Sequence, residues 1–452
     1  MNVTDILDRA VWSRIHLRIV VALGIAWILD GFESTVTAPV LANVAKDLHF
    51  DGTHASWVNS IYTMGMLAGA LIFGPLADRL GRRRLFLITL AIYGIATVLT
   101  GFAWDFTSLA VFRFITGVGI GGEYGAINSA IEEFIPPAYR GRVDGLINAS
   151  WNIGAILASS AAFFALSHLP IGAWRTVFWF GAVVAVGVLF VRNTVPESPR
   201  WLLARGRASE ARAIVVKLFG AQEGVPPVDA STIVDVPVAP AGYLEQIGRL
   251  WRETPMRLLF SFALNLAQVM PYYGILAIGG IAIFPAVGLK GAQIPLLYLV
   301  SAGTSFVGQV VMAYLCDAWG RRPTLITAFT GAAILCGALA VARTTPAFVA
   351  AYLVFGMFSA SCGAGAYVVF SEIFPTDVRS TGIGLSVAVG RLGAIAAPPL
   401  FYVLYLKSGV GAVFTAMGAI FIFGALTMVW WLRYGVEGRG RSLEEMLVSG
   451  IR

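Results

Sequence analysis

The stretch GPLADRLGRRR (residues 74–84) returns as AYLCDAWGRRP (residues 313–323), with Asp78 aligned to Asp317 and Gly81 to Gly320. A second pair lies downstream. EEFIPPAYR (132–140) matches SEIFPTDVR (371–379) through Glu133 and Glu372, Pro136 and Pro375, and Arg140 and Arg379. All of these pairs share one offset of 239 positions, as from 78 to 317 and from 140 to 379, which chance likeness of the motifs would not produce. The chain therefore reads as two copies of one unit.

What surrounds the repeats says where they sit. Of the 452 residues, 58% are apolar and only 13% charged, with a mean hydropathy of +0.77. A water-facing surface needs about twice that charge. Apolar runs of about 20 residues, the length of a bilayer-crossing helix, recur along most of the chain. They place spans near 17–37, 56–77, 84–103, 107–131, 143–168, 172–192, 256–285, 293–316, 323–343, 346–370, 382–406 and 410–433. The expected fold class is all-α integral membrane, with twelve transmembrane helices in two pseudo-symmetric six-helix bundles. The expected divisions are a cytoplasmic N-terminal interfacial segment (1–16), a first bundle (17–192), a cytoplasmic linker with short amphipathic helices (193–255), a second bundle (256–433) and a cytoplasmic tail (434–452). Within the linker, GVPPVDASTIVDVPVAPAG is rich in Pro and Val.

Arg decides the orientation. Arg82, Arg83, Arg84, Arg140, Arg205, Arg207, Arg321, Arg322, Arg379 and Arg439 fall in alternate loops or the tail, while the opposite loops carry little beyond Lys46, Lys290, Arg343 and Lys407. The positive-inside rule then puts both termini in the cytoplasm of a cell (inner or plasma) membrane protein. The net charge of +7 serves topology and lipid headgroups, and no nucleic-acid surface is expected. The N-terminal MNVTDILDRAVWSRIHLR lacks a short apolar core followed by a small-residue cleavage site, so it reads as an uncleaved interfacial helix.

Enzyme chemistry finds no residues. A phosphate-cradling GxxxxGK[ST] is absent, and GVGIGG lies inside a span with no strand before it, where small residues serve close helix packing. His16, His49, His54 and His168 sit at span ends or in loops without metal spacing or a partner nucleophile. Cys316, Cys336 and Cys362 fall in spans and are expected as buried thiols. No cofactor or metal is expected, and energy would come from a gradient, of protons or of substrate.

Charges inside spans are costly and by default mark ion or proton pathways. ILDGFEST (28–35) carries Asp30 and Glu33 one turn apart on one helix face, four to seven residues from the expected outer end of span one. Arg113 lies at a similar depth in span four and is expected to pair with them. Proton binding at Asp30 and Glu33 would then release Arg113; the alternative is a static ion pair. Close carboxylates titrate together, so neither acid is singled out. In the second half Arg391 sits in the middle of span eleven, where it needs an anion: a carboxylate substrate held by the guanidinium fork, or Glu123 of span four. The offset maps Asp30, Glu33 and Arg113 onto Val269, Tyr272 and Tyr352, and Arg391 onto Asn152, so each charge belongs to one half alone. In the repeated loops, Asp78 with Arg82, Arg140 and Arg142, beside Glu133, and Asp317 with Arg321, Arg322 and Arg379, beside Glu372, are expected either to latch the cytoplasmic face or to anchor helix ends.

Taken together, these motifs resemble the major facilitator superfamily along nearly the whole chain. The first repeat is similar to that superfamily's signature loop, and RFITGVGIGG from Arg113, PESPRWLL (196–203) and GRGRSLEE (438–445) resemble its sugar-porter and organic-ion branches. The resemblance implies substrate binding between two six-helix halves. GFESTV overlays the sugar-porter GYDTAV type of segment, which implies a proton-coupling role for Glu33; DGFE is similar to the DGFD of aromatic-acid/proton symporters, which implies an equal role for Asp30. The position of Arg391 is an Arg in aromatic-acid, nicotinate and organic-anion members. Where sugar porters carry paired Gln in span seven, Phe262 and Ala263 stand here; Gln268 replaces an Asn, and Tyr367 replaces the Trp of span ten.

The expected cavity combines Trp151, Asn152, Gln268, Tyr272, Tyr273, Tyr367, Arg391 and Glu123, which suits a flat carboxylic acid better than a polyol, although aromatics at helical spacing also serve packing. The expected function is proton-coupled symport of a small organic, aromatic or heteroaromatic, carboxylate by a monomer. The alternatives are a proton-coupled sugar or neutral-metabolite porter, or an organic-ion exchanger or exporter.

Overall fold

The protein is described by a computed structural model that covers residues 12–135, 137–169, 172–192, 196–219, 243–375 and 378–434. The side chains of Asp78, Arg82, Glu123, Glu133, Arg140, Arg142 and Asp317 lie outside the described ones, so the latches expected of them, and the Glu123 partner for Arg391, do too.

Among the described residues, nine helical stretches are long and apolar enough to cross a membrane. The last, Thr381–Trp431, is 51 residues long, far more than one crossing needs, and it breaks at Gly409 with φ 76°. Shorter apolar stretches, Phe106–Gly122 and Trp174–Val186, lie within two further long helices. Twelve crossings result. Spans two to six are Gly52–Leu80, Arg82–Thr100, Phe106–Phe134, Pro137–His168 and Trp174–Arg192. Spans seven to ten begin at Pro255, Gln293, Arg321 and Thr345, and Arg379–Tyr434 supplies the last two. Short helices Pro199–Ala204, Ala208–Phe219 and Tyr243–Glu253 lie between the halves.

Span one differs from its sequence reading. It begins at Arg14 rather than 17 and, after Thr35, continues past Val36 as Thr37–Asp47. The side chains of Ser34, Thr35 and Thr37 are buried, and Thr35 satisfies its hydroxyl on the Gly31 carbonyl at 2.6 Å. The far end is fixed by Asp47, which accepts the Trp174 indole N–H at 3.0 Å and Arg175 Nη1 at 3.1 Å from span six. Asp30 and Glu33 therefore sit near the middle of a 34-residue span.

The repeat is visible in the backbone. Gly81 and Gly320 precede spans three and nine with φ 90°, ψ 153° and φ 101°, ψ 161°, a region that only glycine enters readily. PESPRWLL docks here: Glu197 accepts the Arg83 backbone N–H at 3.3 Å, and Ser198 caps the helix Pro199–Ala204 by accepting from the Trp201 N–H. In the second copy Arg321 pairs with Glu372 at 2.9 Å, and Arg379 donates to the Phe374 carbonyl. The side chain of Asp317, the acid expected with them, lies outside the described ones. Glu372 lies close because spans eight, nine and ten pack together at this end. GVGIGG packs as small residues do: a side chain at Gly117 or Gly121 would strike the Tyr62 or Met66 carbonyl of span two.

Each half has its own apolar interior. One cluster runs through the second half from Leu258 to Trp431, and two occupy the first. The halves interlock on the face away from the Arg-rich loops. There Ala38 of span one joins the second half's cluster, and Ile281, in the π turn Gly279–Ile283 of span seven, packs on the first half's. A π turn in a span often marks a functional segment.

Candidate functional site

Two glycines bring the first acid into position. Spans one and five cross at Gly31 and Gly154, where a Cβ on either would collide with the opposing backbone. This approach sets Asp30 and Trp151 together on the cavity wall, with Asp30 Oδ1 lacking a hydrogen-bond partner.

The two acids, one turn apart, face different surroundings. Glu33 points into the first bundle, where its Oε2 meets Arg113 Nη1 at 3.3 Å and its backbone carbonyl accepts Nη2 at 2.9 Å. Both side chains are sealed, at 0% and 1% exposure. Arg113 also lies over the Tyr62 ring at 4.5 Å, and Tyr62 shares a hydrogen bond with Ser34. Asp30 instead lines a cavity of about 150 Å³ between the halves. The sequence had grouped both acids with Arg113. Only Glu33 makes that ion pair among the described contacts, because the rotation of span one turns Asp30 toward span five and the cavity.

Seven of the expected binding residues surround this same space. Trp151 and Asn152 line it from span five, and Gln268, Tyr272 and Tyr273 from span seven. Tyr367 lines it from span ten and Arg391 from span eleven. The Trp151 and Tyr272 rings approach to 6.1 Å and separate this cavity from a chamber of about 60 Å³ lined by Ser159, Ser301, Ser305, Tyr298 and Tyr352. Arg391 is within electrostatic reach of Asp30 and donates Nη1 to the Met66 carbonyl across the interface at 3.1 Å. Asn152, its repeat-related position, also bridges the halves, donating to Gln309 at 2.7 Å. The two bridges are pseudo-symmetric: span eleven meets span two as span five meets span eight.

Sequence reasoning missed Gln309 and Asn265, which also line the cavity. Asn265 donates to the Ser386 carbonyl and accepts from Gln268 at 2.6 Å, which orients Gln268. Their signal was an amide inside an apolar span, the signal that had marked Asn152 and Gln268. Outside the membrane, Asp51 at the start of span two is held below the usual carboxylate range by the backbone N–H of His54 and then by its ring. Ser108 does the same for Asp105 through its backbone N–H and hydroxyl.

Two all-helical halves, joined around a cavity with ionisable walls, define a transporter of the major facilitator superfamily and not an enzyme. The chain belongs to the family described as sugar (and other) transporter, whose model matches residues 20–448. It is 29% identical to the niacin transporter NiaP of Acinetobacter baylyi over 99% of this chain and 100% of that protein. It is 26% identical to the benzoate transport protein of the same organism, over 88% and 86%. Its fold matches a partially occluded inward open conformation of the xylose transporter XylE from E. coli, with a TM-score of 0.76 at 18% identity, covering 95% of this chain and 100% of that one.

Proposed function

We propose that this transporter carries a small aromatic or heteroaromatic carboxylate together with protons, by alternating access, with the Arg-rich face and both termini in the cytoplasm. The observation that carries this reading is Arg391, 8% exposed, on the wall of a cavity that Trp151, Tyr272, Tyr273 and Tyr367 also line, beside Asp30 and the amides of Asn148, Asn152, Asn265, Gln268 and Gln309. A guanidinium fork offers two parallel donors to a carboxylate, and the rings offer flat apolar faces to an aromatic body. Relatives named for niacin and benzoate transport support the same substrate class.

In this reading the cross-half bonds of Asn152 and Arg391 hold one state, and substrate drawing on Arg391 loosens the second of them. Glu33 and Arg113 form a sealed pair that protonation of the acid would part. Asp317, Arg321, Glu372 and Arg379, with their first-half counterparts Asp78, Arg82, Glu133 and Arg140, serve as the cytoplasmic latch.

The test is ligand-induced thermal stabilisation of the purified protein, because a ligand that binds only the folded state raises the melting temperature. Nicotinate and hydroxybenzoate should stabilise the wild type and fail to stabilise Arg391→Ala, while a hexose and a quaternary amine should stabilise neither protein. Stabilisation by the hexose that survives Arg391→Ala would replace this reading with that of a neutral-metabolite porter.

A further inference from the structure

We infer that the smaller chamber is a subsite for a neutral hydroxyl on the substrate's ring, with Ser359 as its hydrogen-bonding partner. A ring that bears a hydroxyl opposite its carboxylate is then preferred over the bare ring. The inference rests on the carboxylate reading above and deepens it by naming the substituent the site selects.

The two spaces are stacked along the direction of the spans and share one wall. On span five the lining passes from Asn148 in the larger cavity, through Trp151 and Asn152, which line both, to Ser159 in the smaller chamber. Span seven does the same from Asn265 through Tyr272 to Leu276. Span ten, which runs the opposite way, passes from Tyr367 through Ser359 to Tyr352. Arg391 lines the larger cavity alone. A flat acid held there with its long axis along the spans presents the ring position opposite its carboxylate to the shared wall.

Size and chemistry limit what can pass that wall. A cavity of about 150 Å³ is of the size that accepts a benzene ring, and the chamber of about 60 Å³ is less than half of it, with room for a few waters or one small substituent. No charged side chain is among the described residues that line the chamber, so an anionic substituent would enter it uncompensated. Its hydroxyls are largely committed as donors. Thr35 gives its proton to the Gly31 carbonyl, Tyr298 to the Leu276 carbonyl at 2.9 Å and Ser305 to the Gly356 carbonyl at 3.2 Å. Ser359 differs: it is 5% exposed, it lines both spaces, and its Oγ has no hydrogen-bond partner. A buried hydroxyl in that condition calls for a partner from outside the protein. A phenolic hydroxyl meets it as donor or acceptor, and a bare ring leaves it unmet.

The experiment measures the affinities of the purified protein for benzoate, para-hydroxybenzoate and terephthalate at neutral pH, where the phenol keeps its proton. The wild type should bind para-hydroxybenzoate about 2- to 10-fold more tightly than benzoate, the return on one neutral hydrogen bond, and terephthalate more weakly than either. Ser359→Ala should bring the ratio of the first two affinities close to one. Ala302→Leu, which fills the chamber from span eight, should do the same and guards against a water standing in for the lost hydroxyl. Equal affinities in the wild type, a preference for the hydroxyl that survives either variant, or terephthalate bound as tightly as para-hydroxybenzoate would overturn the subsite while leaving the carboxylate reading intact. If Ala302→Leu does not fold, Ser359→Ala and terephthalate decide it. A wild type that binds none of the three acids refutes the carboxylate reading itself, and this inference with it.

Discussion

Where the first half places Glu33, Arg113 and Tyr62, the second places Tyr272, Tyr352 and Ser301 at the positions 239 residues on. In the first half the guanidinium lies over the Tyr62 ring at 4.5 Å and against the Glu33 carboxylate. In the second, Tyr352 packs edge-on to Phe284 at 5.1 Å, and Tyr272 turns to Trp151. The same helical positions are filled once by an ion pair and once by aromatic rings. A six-helix half therefore folds without buried charge at these sites. Burying a charge pair is costly and adds little net stability over apolar packing, so the pair in the first half answers a demand other than the fold.

The most severe test of that contrast is Arg113→Ala, which leaves the Glu33 carboxylate buried without a cation. Thermal unfolding should show a loss of about 3–5 kcal/mol. Glu33→Gln should cost less, since Arg113 keeps the Glu33 backbone carbonyl and the Tyr62 ring. Equal stability of the two variants would mean that the sealed pair is not the organising feature of the first half.

Next in size is the bridge between the halves. Asn152→Leu and Gln309→Leu each strand a partner and should each cost about 1–3 kcal/mol, while the double variant should recover part of that loss. A double-mutant cycle on unfolding measures the coupling, and strict additivity would show that the bond of 2.7 Å contributes nothing.

Tyr352→Phe, which removes one hydroxyl from a residue lining the smaller chamber, should cost still less. Its unfolding transition should stay well above that of Arg113→Ala. If the order reversed, the second half would carry the more consequential polar site and the contrast between the halves would fall.

The smallest effect belongs to Asp51→Ala. The lowered titration of Asp51 means that its contribution is complete above the usual carboxylate value near about pH 4 and is lost as the pH falls through its own, lower one. The substitution should lower the melting temperature slightly at neutral pH and leave it unchanged below both values. A shift that persists in strong acid would locate the effect outside the carboxylate.

Much of this was legible in the sequence. Apolar runs separated by Arg-rich loops determine the crossings, since both depend only on composition along the chain. The repeat offset anticipated the matched backbone of Gly81 and Gly320, because a residue without Cβ is needed there. Asp30, Glu33, Arg113 and Arg391 stood out because charge is rare inside spans. The sequence did not separate the two acids. Three residues on one helix place both on one broad face, and which neighbour each meets depends on the rotation set by the Gly31–Gly154 crossing. Span one was read too short at 17–37: Thr35 and Thr37 are buried, and Thr35 turns its hydroxyl onto its own helix backbone, so the helix runs on past them. The amides Asn265 and Gln309 were overlooked because an uncharged polar side chain leaves a weaker mark on an apolar run than an ion does.

The central claim, a carboxylate held by Arg391 and carried with protons, is tested most directly by uptake of radiolabelled nicotinate, hydroxybenzoate and a hexose into proteoliposomes with and without an inward proton gradient. The account predicts that the gradient stimulates uptake of a carboxylate and that Arg391→Ala abolishes it. Gradient-stimulated hexose uptake that persists in Arg391→Ala, with no carboxylate transported, would contradict it.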